Sequence, residues 1–272
     1  MSGISVLNIV AWILVAAGLL RTSPPNSPQR EVDSTRGWQL LLSSLFVLGC
    51  AFRSFFPRIE GLRIGLEDHW IASAMIGRAV ATVAELAFVA QWTLVLVEWS
   101  KAAGSGWALT LAKLPLPLIA IAEVFSWYSA LTTNFLGSVI EESTWAVSAM
   151  IVMAILLLLW LRSRGLRRSF MRVSMVMAAG YILFMWMVDV PMYVSRWRAD
   201  EASNRPYLTF SEGLHDSQNR RLVSQDWTIW REEVPWMSLY FGAGVWLSIA
   251  LIRAPRFNAK DSWSHPTAIE TV

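Results

Sequence analysis

The chain has 272 residues, of which 55% are hydrophobic and 16% charged, with a formal net charge of +3. This length suits one domain, and the apolar share favours an integral membrane protein over a soluble globular one. The arginines stand in short segments between apolar runs, which argues against nucleic-acid binding, and a single cysteine, Cys50, excludes an intramolecular disulfide and a cysteine-cluster metal site.

Seven apolar runs follow one another along the chain. A helix needs about 20 mostly apolar residues to cross a hydrocarbon core of roughly 30 Å. The sequence therefore predicts an all-α integral membrane protein, a seven-transmembrane-helix bundle within a single domain of residues 1–256. The predicted helices cover approximately residues 4–20, 38–56, 70–97, 107–128, 144–161, 171–193 and 235–252. No Lys or Arg precedes the first run, so it is expected to be a retained helix and not a cleaved signal peptide.

Charge in the connecting segments predicts the orientation. Residues 162–172 carry five arginines and no acid, whereas residues 132–143 have no basic residue. Cytoplasmic loops are enriched in Lys and Arg. We therefore expect residues 162–172 and the C-terminus in the cytoplasm and the N-terminus outside, in a plasma or inner membrane.

The polar connections differ in composition. Residues 22–36 are polar and rich in proline, which predicts a flexible cytoplasmic linker, and residues 257–272 are predicted to form a flexible cytoplasmic tail. Residues 195–234 contain many aromatic side chains and both charge signs, which favours a folded outer cap over disorder. Residues 53–69 alternate apolar and charged side chains and are expected to lie along the membrane interface.

Four charged residues stand out inside the predicted helices: Arg78, Glu85, Glu123 and Asp189. An ionised side chain at mid-bilayer costs about 2.5–3.5 kcal/mol, so these residues are expected to face the bundle interior and to have partners. At about 1.5 Å of rise per residue, Arg78, Glu123 and Asp189 reach a similar depth in the outer half. Arg78 is therefore expected to pair with Glu123 or Asp189. Glu85 lies about 10 Å deeper along the same helix, which predicts that it does not pair with Arg78.

These charges predict a polar cavity that opens outward. Glu123 and Asp189 are the candidate acid–base carboxylates, because burial and a neighbouring like charge separate the pKa values of two acids. Arg78 is the candidate for holding an anionic head group. Three further side chains are expected to contact the substrate: Glu142, Tyr128 and Trp186. The alternative is an internal ion-pair cluster that only orders the bundle.

Neighbouring residues add to this picture. Glu85 is a candidate proton relay, or else a protonated acid bonded to an adjacent helix. Pro115 and Pro191 are expected to break the fourth helix and to loosen the sixth, which frees carbonyls beside the charges. Glu141 is expected at the start of the fifth helix, in the head-group region, where an acid complements the helix dipole.

The histidines give a weak metal signal. His69 follows two acids, and His215 precedes Asp216. Imidazole with carboxylates suits zinc or iron, but the spacing matches no ligand signature that we can name. Outer-surface polar residues are the favoured interpretation of both, and the identity of any cofactor stays open.

Three functions fit these features. The leading hypothesis is a membrane-embedded enzyme that acts on a lipid or lipid-linked substrate at the outer leaflet. The first alternative is a small-solute or proton-coupled transporter or binding protein with Glu85 as its relay. The second is a non-catalytic subunit of a larger membrane complex. The expected partners are the lipid bilayer and, for the last function, other membrane subunits.

Overall fold

The computed structural model describes residues 2–22, 30–161, 163 and 165–255. Six helical spans are long and apolar enough to cross a membrane: Thr35–Phe55, Ala74–Ala102, Gly106–Thr132, Phe135–Trp160, Arg167–Ala202 and Val234–Ile252. The apolar part of the first helix, Gly3–Leu19, is shorter. These spans indicate a multi-pass, helical integral membrane protein, as the composition predicts. The predicted tail lies outside the described residues.

The helices follow in chain order as α1 (Ser2–Thr22), α2 (Arg30–Phe55), α3 (Ala74–Ala102), α4 (Gly106–Ala112), α5 (Pro115–Thr132), α6 (Phe135–Trp160), α7 (Gly165–Phe184), α8 (Val190–Ala202), α9 (Phe210–Asn219), α10 (Trp227–Trp230), α11 (Val234–Ser238) and α12 (Val245–Ile252). Helix α2 begins at Arg30, so the predicted linker over residues 22–36 is too long at its C-terminal end. Helix α2 packs against α3 and α12, and α6 packs against α5 and α7.

Three of the membrane-spanning segments are interrupted. Pro115 stands in the first turn of α5 and separates it from α4, because proline lacks the N–H that would continue the helix. A π-helical segment, Met185–Asp189, joins α7 to α8 just before Pro191. A second π-helical segment, Leu239–Gly244, joins α11 to α12. Such segments occur frequently at functional sites.

Helix α6 begins earlier than its hydropathy suggests. Asn134 caps it by accepting a hydrogen bond at Oδ1 from the Leu136 amide at 2.9 Å, so the helix starts at Phe135. Glu141 therefore lies about two turns inside α6 and is only 6% exposed. The prediction that Glu141 sits at a helix start in the head-group region is wrong.

One end of the bundle is covered by two connecting segments, residues 56–73 and 203–233, and we call it the capped end. Two-residue strands join them, since β1 (Arg58–Ile59) pairs antiparallel with β2 (Ile64–Gly65), and β2 pairs parallel with β3 (Leu222–Val223). Among the described residues, the bundle is helical and the strands lie in its cover.

The cover is fixed to the end of α5. Arg63, 1% exposed, donates from Nε to Asp216 Oδ2 at 2.7 Å and from Nη1 to the Ala130 carbonyl at 2.6 Å. A Cβ at Gly213 would lie 2.1 Å from the Leu131 carbonyl oxygen, so only glycine allows α9 to approach α5 this closely. These contacts hold the cover in one position over the bundle.

A second polar feature lies far from the capped end, and we call it the glutamine–serine network. It consists of Gln39 and Ser43 on α2, Gln91 on α3 and Ser248 on α12. Gln91 Nε2 lies 3.1 Å from Gln39 Oε1, and Ser248 Oγ donates to Gln91 Oε1 at 2.6 Å. Ser43 and Ser248 bond at 3.0 Å, and Gln39 Nε2 donates to the Gln91 carbonyl at 3.0 Å. The network ties three helices together.

Candidate functional site

A cavity of about 600 Å³ lies between α2, α3, α6, the α7–α8 segment and the α11–α12 segment. This volume falls within the range of small-molecule sites, roughly 300–1,000 Å³. Toward the capped end its walls carry charged side chains: Arg53, Arg58, Glu60, Arg78, Glu85, Glu141, Glu142, Asp189, Arg196 and Glu233. Deeper in the bundle its walls are mainly apolar: Phe88, Val89, Trp92, Trp145, Val152, Met177, Phe184 and Leu247.

The cavity is elongated along the bundle. Both Ser138 and Val152 of α6 line it, and they are separated by about 21 Å at the rise of an α-helix. That distance is a large part of a hydrocarbon core of about 30 Å. The cavity is thus charged at one end and mainly apolar over the rest of its length.

Arg78 is the centre of an ionic cluster that we define as Arg53, Glu60, Arg78, Glu85, Glu123 and Glu141. Its Nη2 lies 3.0 Å from Glu85 Oε1 and 3.2 Å from Glu123 Oε2. Its Nη1 lies 3.3 Å from Glu141 Oε1 and 3.8 Å from Glu60 Oε2. Arg78 itself is 5% exposed. Its guanidinium therefore already contacts four carboxylates.

The expected pairing of Arg78 with Glu123 is present, whereas no ion pair joins Arg78 to Asp189 within the described residues. The prediction that Arg78 and Glu85 cannot meet is wrong. The two residues are seven positions apart, which is nearly two complete turns and puts them on one face of α3. Each side chain is also long enough to extend along the helix and cover the remaining distance.

Arg53 and Tyr240 complete the cluster from α2 and the second π-helical segment. Arg53 Nη2 lies 3.2 Å from Glu60 Oε1, and its Nη1 lies 3.8 Å from Glu85 Oε1. The Tyr240 hydroxyl donates to Glu85 Oε1 at 3.3 Å. The Arg53 guanidinium also lies 5.4 Å from the Trp236 ring centroid. Glu85 is thus held between two arginines and a tyrosine, and these contacts oppose the movement that a relay group needs.

The ionic cluster contains more carboxylates than guanidinium groups. Oxygens of Glu85, Glu123 and Glu141 lie within 4.8 Å of one another, the one set of potential metal ligands found among the described residues. Arg78 contacts all three of these carboxylates, and its positive charge repels a metal ion from the point where they converge. The set therefore fits an arginine better than a metal.

Glu142 and Asp189 form a separate acid pair in the cavity wall. Both carboxyl groups line the cavity, and they lie close enough for their charges to interact. Neither makes an ion pair with an arginine in the part of the chain that the structure describes. Asp189 ends the π-helical segment Met185–Asp189 and is 4% exposed. This pair has the arrangement that acid–base chemistry uses, with two carboxyls of unequal environment beside an open space.

Three other predicted site residues lie outside the cavity. Glu123 is held by Arg78 and by the Thr82 hydroxyl, which donates to its Oε2 at 2.5 Å, and it lines a separate surface groove. Tyr128 lines the same groove, where its hydroxyl accepts a hydrogen bond from Asn134 Nδ2 at 3.3 Å. Trp186 is 43% exposed on the outside of the bundle. Only Arg78, Glu85, Glu142 and Asp189 of the predicted set line the cavity.

The two histidines are not brought into a metal-binding arrangement. His69 Nδ1 accepts a hydrogen bond from the Ile71 amide at 3.2 Å and its ring lies near Phe56, which is a helix-capping role. His215 is exposed on α9. Within the described residues, the converging ligand set holds three glutamates and no histidine. The predicted histidine–carboxylate metal site is therefore not assembled.

Sequence reasoning missed six charged residues of the cavity: Arg53, Arg58, Glu60, Glu141, Arg196 and Glu233. The first three belong to the predicted interfacial connection, Glu141 to a predicted helix start, and the last two to the predicted cap. Alternating charged and apolar residues do not reveal that the connecting segments fold back over the bundle.

Comparison with protein-family models, with curated proteins and with solved structures finds no match for this chain. The fold can therefore be assigned only as a helical membrane protein, and the case for a function depends on the geometry of the cavity.

Proposed function

We propose that the protein is a membrane-embedded enzyme that takes a lipid or lipid-linked substrate into this cavity. The observation that carries the proposal is the change in polarity along the cavity, from charged residues at the capped end to apolar residues in the bundle. A molecule with a polar head and a hydrocarbon chain matches both parts. Two residues of the cavity wall, Gly180 and Leu239, have large exposed fractions, which suits an opening toward the bilayer.

The proposal includes seven membrane crossings with the capped end outside. Helix α1 packs against α2 and α12, and its apolar part Gly3–Leu19 is about 26 Å long at the rise of an α-helix. The arginine-rich connection after α6 then faces the cytoplasm. In a plasma or inner membrane, this orientation gives the polar end of the cavity access to the outer leaflet.

Glu142 and Asp189 replace Glu123 and Asp189 as the proposed acid–base pair. A proton shared between two carboxyls leaves one as an acid and the other as a base. The acid donates its proton to the leaving group, and the base accepts a proton from the attacking group. Glu123 instead contributes to neutralising Arg78 and orders the wall of the cavity.

The test is a comparison of lipid composition. Wild-type protein and the variants Glu142→Gln and Asp189→Asn are reconstituted into liposomes made from the total lipids of the host membrane. Mass spectrometry should detect a new lipid product with the wild type, formed about 10²- to 10⁴-fold more slowly by either variant. Glu67→Gln, an exposed position before α3, is the control and should be fully active. Unchanged lipid species with the wild type would overturn the enzymatic function.

A second function, a proton-coupled carrier of an amphiphile, is favoured by one specific observation. The π-helical segments Met185–Asp189 and Leu239–Gly244 both line the cavity, and they are points where helices change conformation readily. The proton would then bind at Glu142 and Asp189. Proton uptake into proteoliposomes that depends on Asp189, without any change in lipid chemistry, would favour the carrier.

A further inference from the structure

Arg58 enters the polar end of the cavity from β1 and is 3% exposed. Its Nε and Nη1 atoms have no hydrogen-bond partner in the described part of the protein. No carboxylate there lies within ion-pair distance of it. A buried cation without a partner is strongly unfavourable, so such a group is rarely retained without a reason.

The other arginines of this region differ from Arg58. Arg78 also has an unpartnered Nε, but its other nitrogens contact four carboxylates. Arg63 is bonded to Asp216 and to backbone carbonyls. Arg196 is intermediate, because its Nη2 bonds to Glu233 at 2.8 Å while its buried Nη1 has no partner. Arg58 and Arg196 therefore present three unpartnered nitrogens between them at the polar end.

The charge of Arg58 persists under physiological conditions. Burial lowers its pKa to about 10; Glu60 opposes this effect, and the nearby Arg63, Arg53 and Arg221 add to it. A guanidinium with that pKa is still cationic near pH 7. The polar end of the cavity thus holds a cation that an anion would stabilise.

We infer that Arg58, assisted by Arg196, is the binding site for the phosphate ester of an amphiphile head group. This inference rests on the proposed function and names the chemical class of its substrate. Arginine pairs strongly with phosphate through charge-assisted hydrogen bonds. A phosphate monoester offers three acceptor oxygens and close to two negative charges, whereas a carboxylate offers two oxygens and one charge. Arg78, the residue first expected to hold the head group, is already neutralised.

Gly77 positions Arg58 over the start of α3. A Cβ at residue 77 would lie 2.9 Å from Arg58 Cδ. Gly77→Ala therefore displaces the guanidinium without changing the charge of the cavity. It provides a variant that is independent of the removal of Arg58 itself.

The experiment measures binding of dodecyl phosphate to the purified full chain in a neutral maltoside detergent. Isothermal titration is repeated with dodecanoate, which has the chain without the phosphate, and with inorganic phosphate, which has the phosphate without the chain. Dodecyl phosphate should bind at least about 10-fold more tightly than either. Arg58→Gln should weaken dodecyl phosphate binding by about 10- to 100-fold, and Gly77→Ala should weaken it less. Arg231→Gln, at an exposed arginine after α10, is the matched control and should bind as the wild type does.

Each remaining outcome identifies what has failed. Equal affinity for dodecyl phosphate and dodecanoate, or wild-type affinity in Arg58→Gln, overturns the phosphate site while leaving amphiphile binding intact. Inorganic phosphate that binds as tightly as dodecyl phosphate overturns the lipid as its source. No binding of either dodecyl compound by the wild type means that the proposed function itself fails. Melting curves of Arg58→Gln, Gly77→Ala and Arg231→Gln separate loss of the binding site from loss of the fold.

Discussion

Helix α3 carries two buried polar regions of opposite character, the ionic cluster and the glutamine–serine network, and Gln91 lies about 20 Å from Arg78 and about 9 Å from Glu85 along the helix. In the network, Gln91 is bonded to Gln39 and Ser248, and these groups satisfy one another. The ionic cluster holds more acids than bases, and Arg58 beside it has two nitrogens without a partner. The network lies outside the lining of the cavity, whereas five of the six residues of the cluster line it.

The difference separates polar groups that order the fold from polar groups that serve a ligand. A fully satisfied network adds specificity to helix packing and needs nothing from outside the protein. An unequal set of charges with unpartnered donors is stable only when the surrounding structure holds it in place. Four predictions test whether the two regions differ in this way.

The largest effect is expected from Arg78→Ala. Removal of this guanidinium leaves Glu85, Glu123 and Glu141 without their shared cation, so the free energy of unfolding should fall by about 3–5 kcal/mol. Thermal melting in detergent measures the loss. Adding Glu123→Gln and Glu141→Gln should restore part of it, because fewer buried carboxylates then lack a partner. A melting temperature equal to that of the wild type would show that the cluster does not order the bundle.

Two carboxylates near the cluster should respond in opposite ways. Glu123→Gln weakens an ion pair with Arg78 and should lower the melting temperature while activity or amphiphile binding per folded molecule is retained. Asp189→Asn should leave the melting temperature nearly unchanged and lower the turnover by about 10²- to 10⁴-fold. Melting curves and product formation are measured on the same preparations. If Glu123→Gln abolished turnover in a stable protein, the acid–base role would return to Glu123.

The glutamine–serine network should tolerate replacement only as a whole. Gln91→Leu alone removes the partner of Gln39 Oε1 and one of the two side-chain partners of Ser248 Oγ, at about 1–3 kcal/mol for a buried group left unsatisfied. The quadruple variant Gln39→Leu, Ser43→Ala, Gln91→Leu and Ser248→Ala should recover most of the stability, since no side chain of the network is then left without a partner. Chemical unfolding measures both. Dodecyl phosphate binding should be unchanged in the quadruple variant, and a loss of binding would connect the network to the cavity.

The smallest effect is expected at the start of α9. Thr209 accepts a hydrogen bond from the Glu212 amide, and Glu212 accepts two from Thr209, which lowers the pKa of Glu212. Thr209→Ala should destabilise this turn by about 0.5–2 kcal/mol, seen as faster hydrogen exchange of residues 209–213. Because the folded pKa is lowered, the contribution of Glu212 is present above the ordinary pKa of a glutamate and is lost as the pH falls below it. Exchange that is equal in variant and wild type would exclude a role for this turn in holding the cover.

Much of the fold follows from local sequence signals. Apolar runs predict the membrane-spanning helices, and Pro115 and Pro191 mark where two of them break. The depth of Arg78 and Glu123 predicts their ion pair, because both positions are counted from helix ends. Each of these predictions needs only the sequence of a single helix, or the depth of its residues in the same membrane.

The rest of the site depends on contacts that no single segment encodes. Arg53 and Arg58 belong to a segment that folds back over the bundle, and the start of α6 is set by the Asn134 cap within an apolar stretch. The depth of a residue in the membrane does not say toward which neighbour its side chain points. Tyr128 and Trp186 are predicted at a suitable depth, but both lie outside the cavity. Long side chains also extend along the helix axis. Arg78 and Glu85 therefore make contact although their backbones are about 10 Å apart along α3.

The two π-helical segments determine where the chain tolerates a change in length. A π turn holds one residue more than an α turn. Deleting one residue within Met185–Asp189 or Leu239–Gly244 therefore leaves the flanking helices with their packing faces unchanged, whereas a deletion elsewhere in these spans rotates all that follows by about 100°. Related sequences that differ in length by a single residue within a span should differ at these two places. Their cavities would change shape while their bundles stay the same.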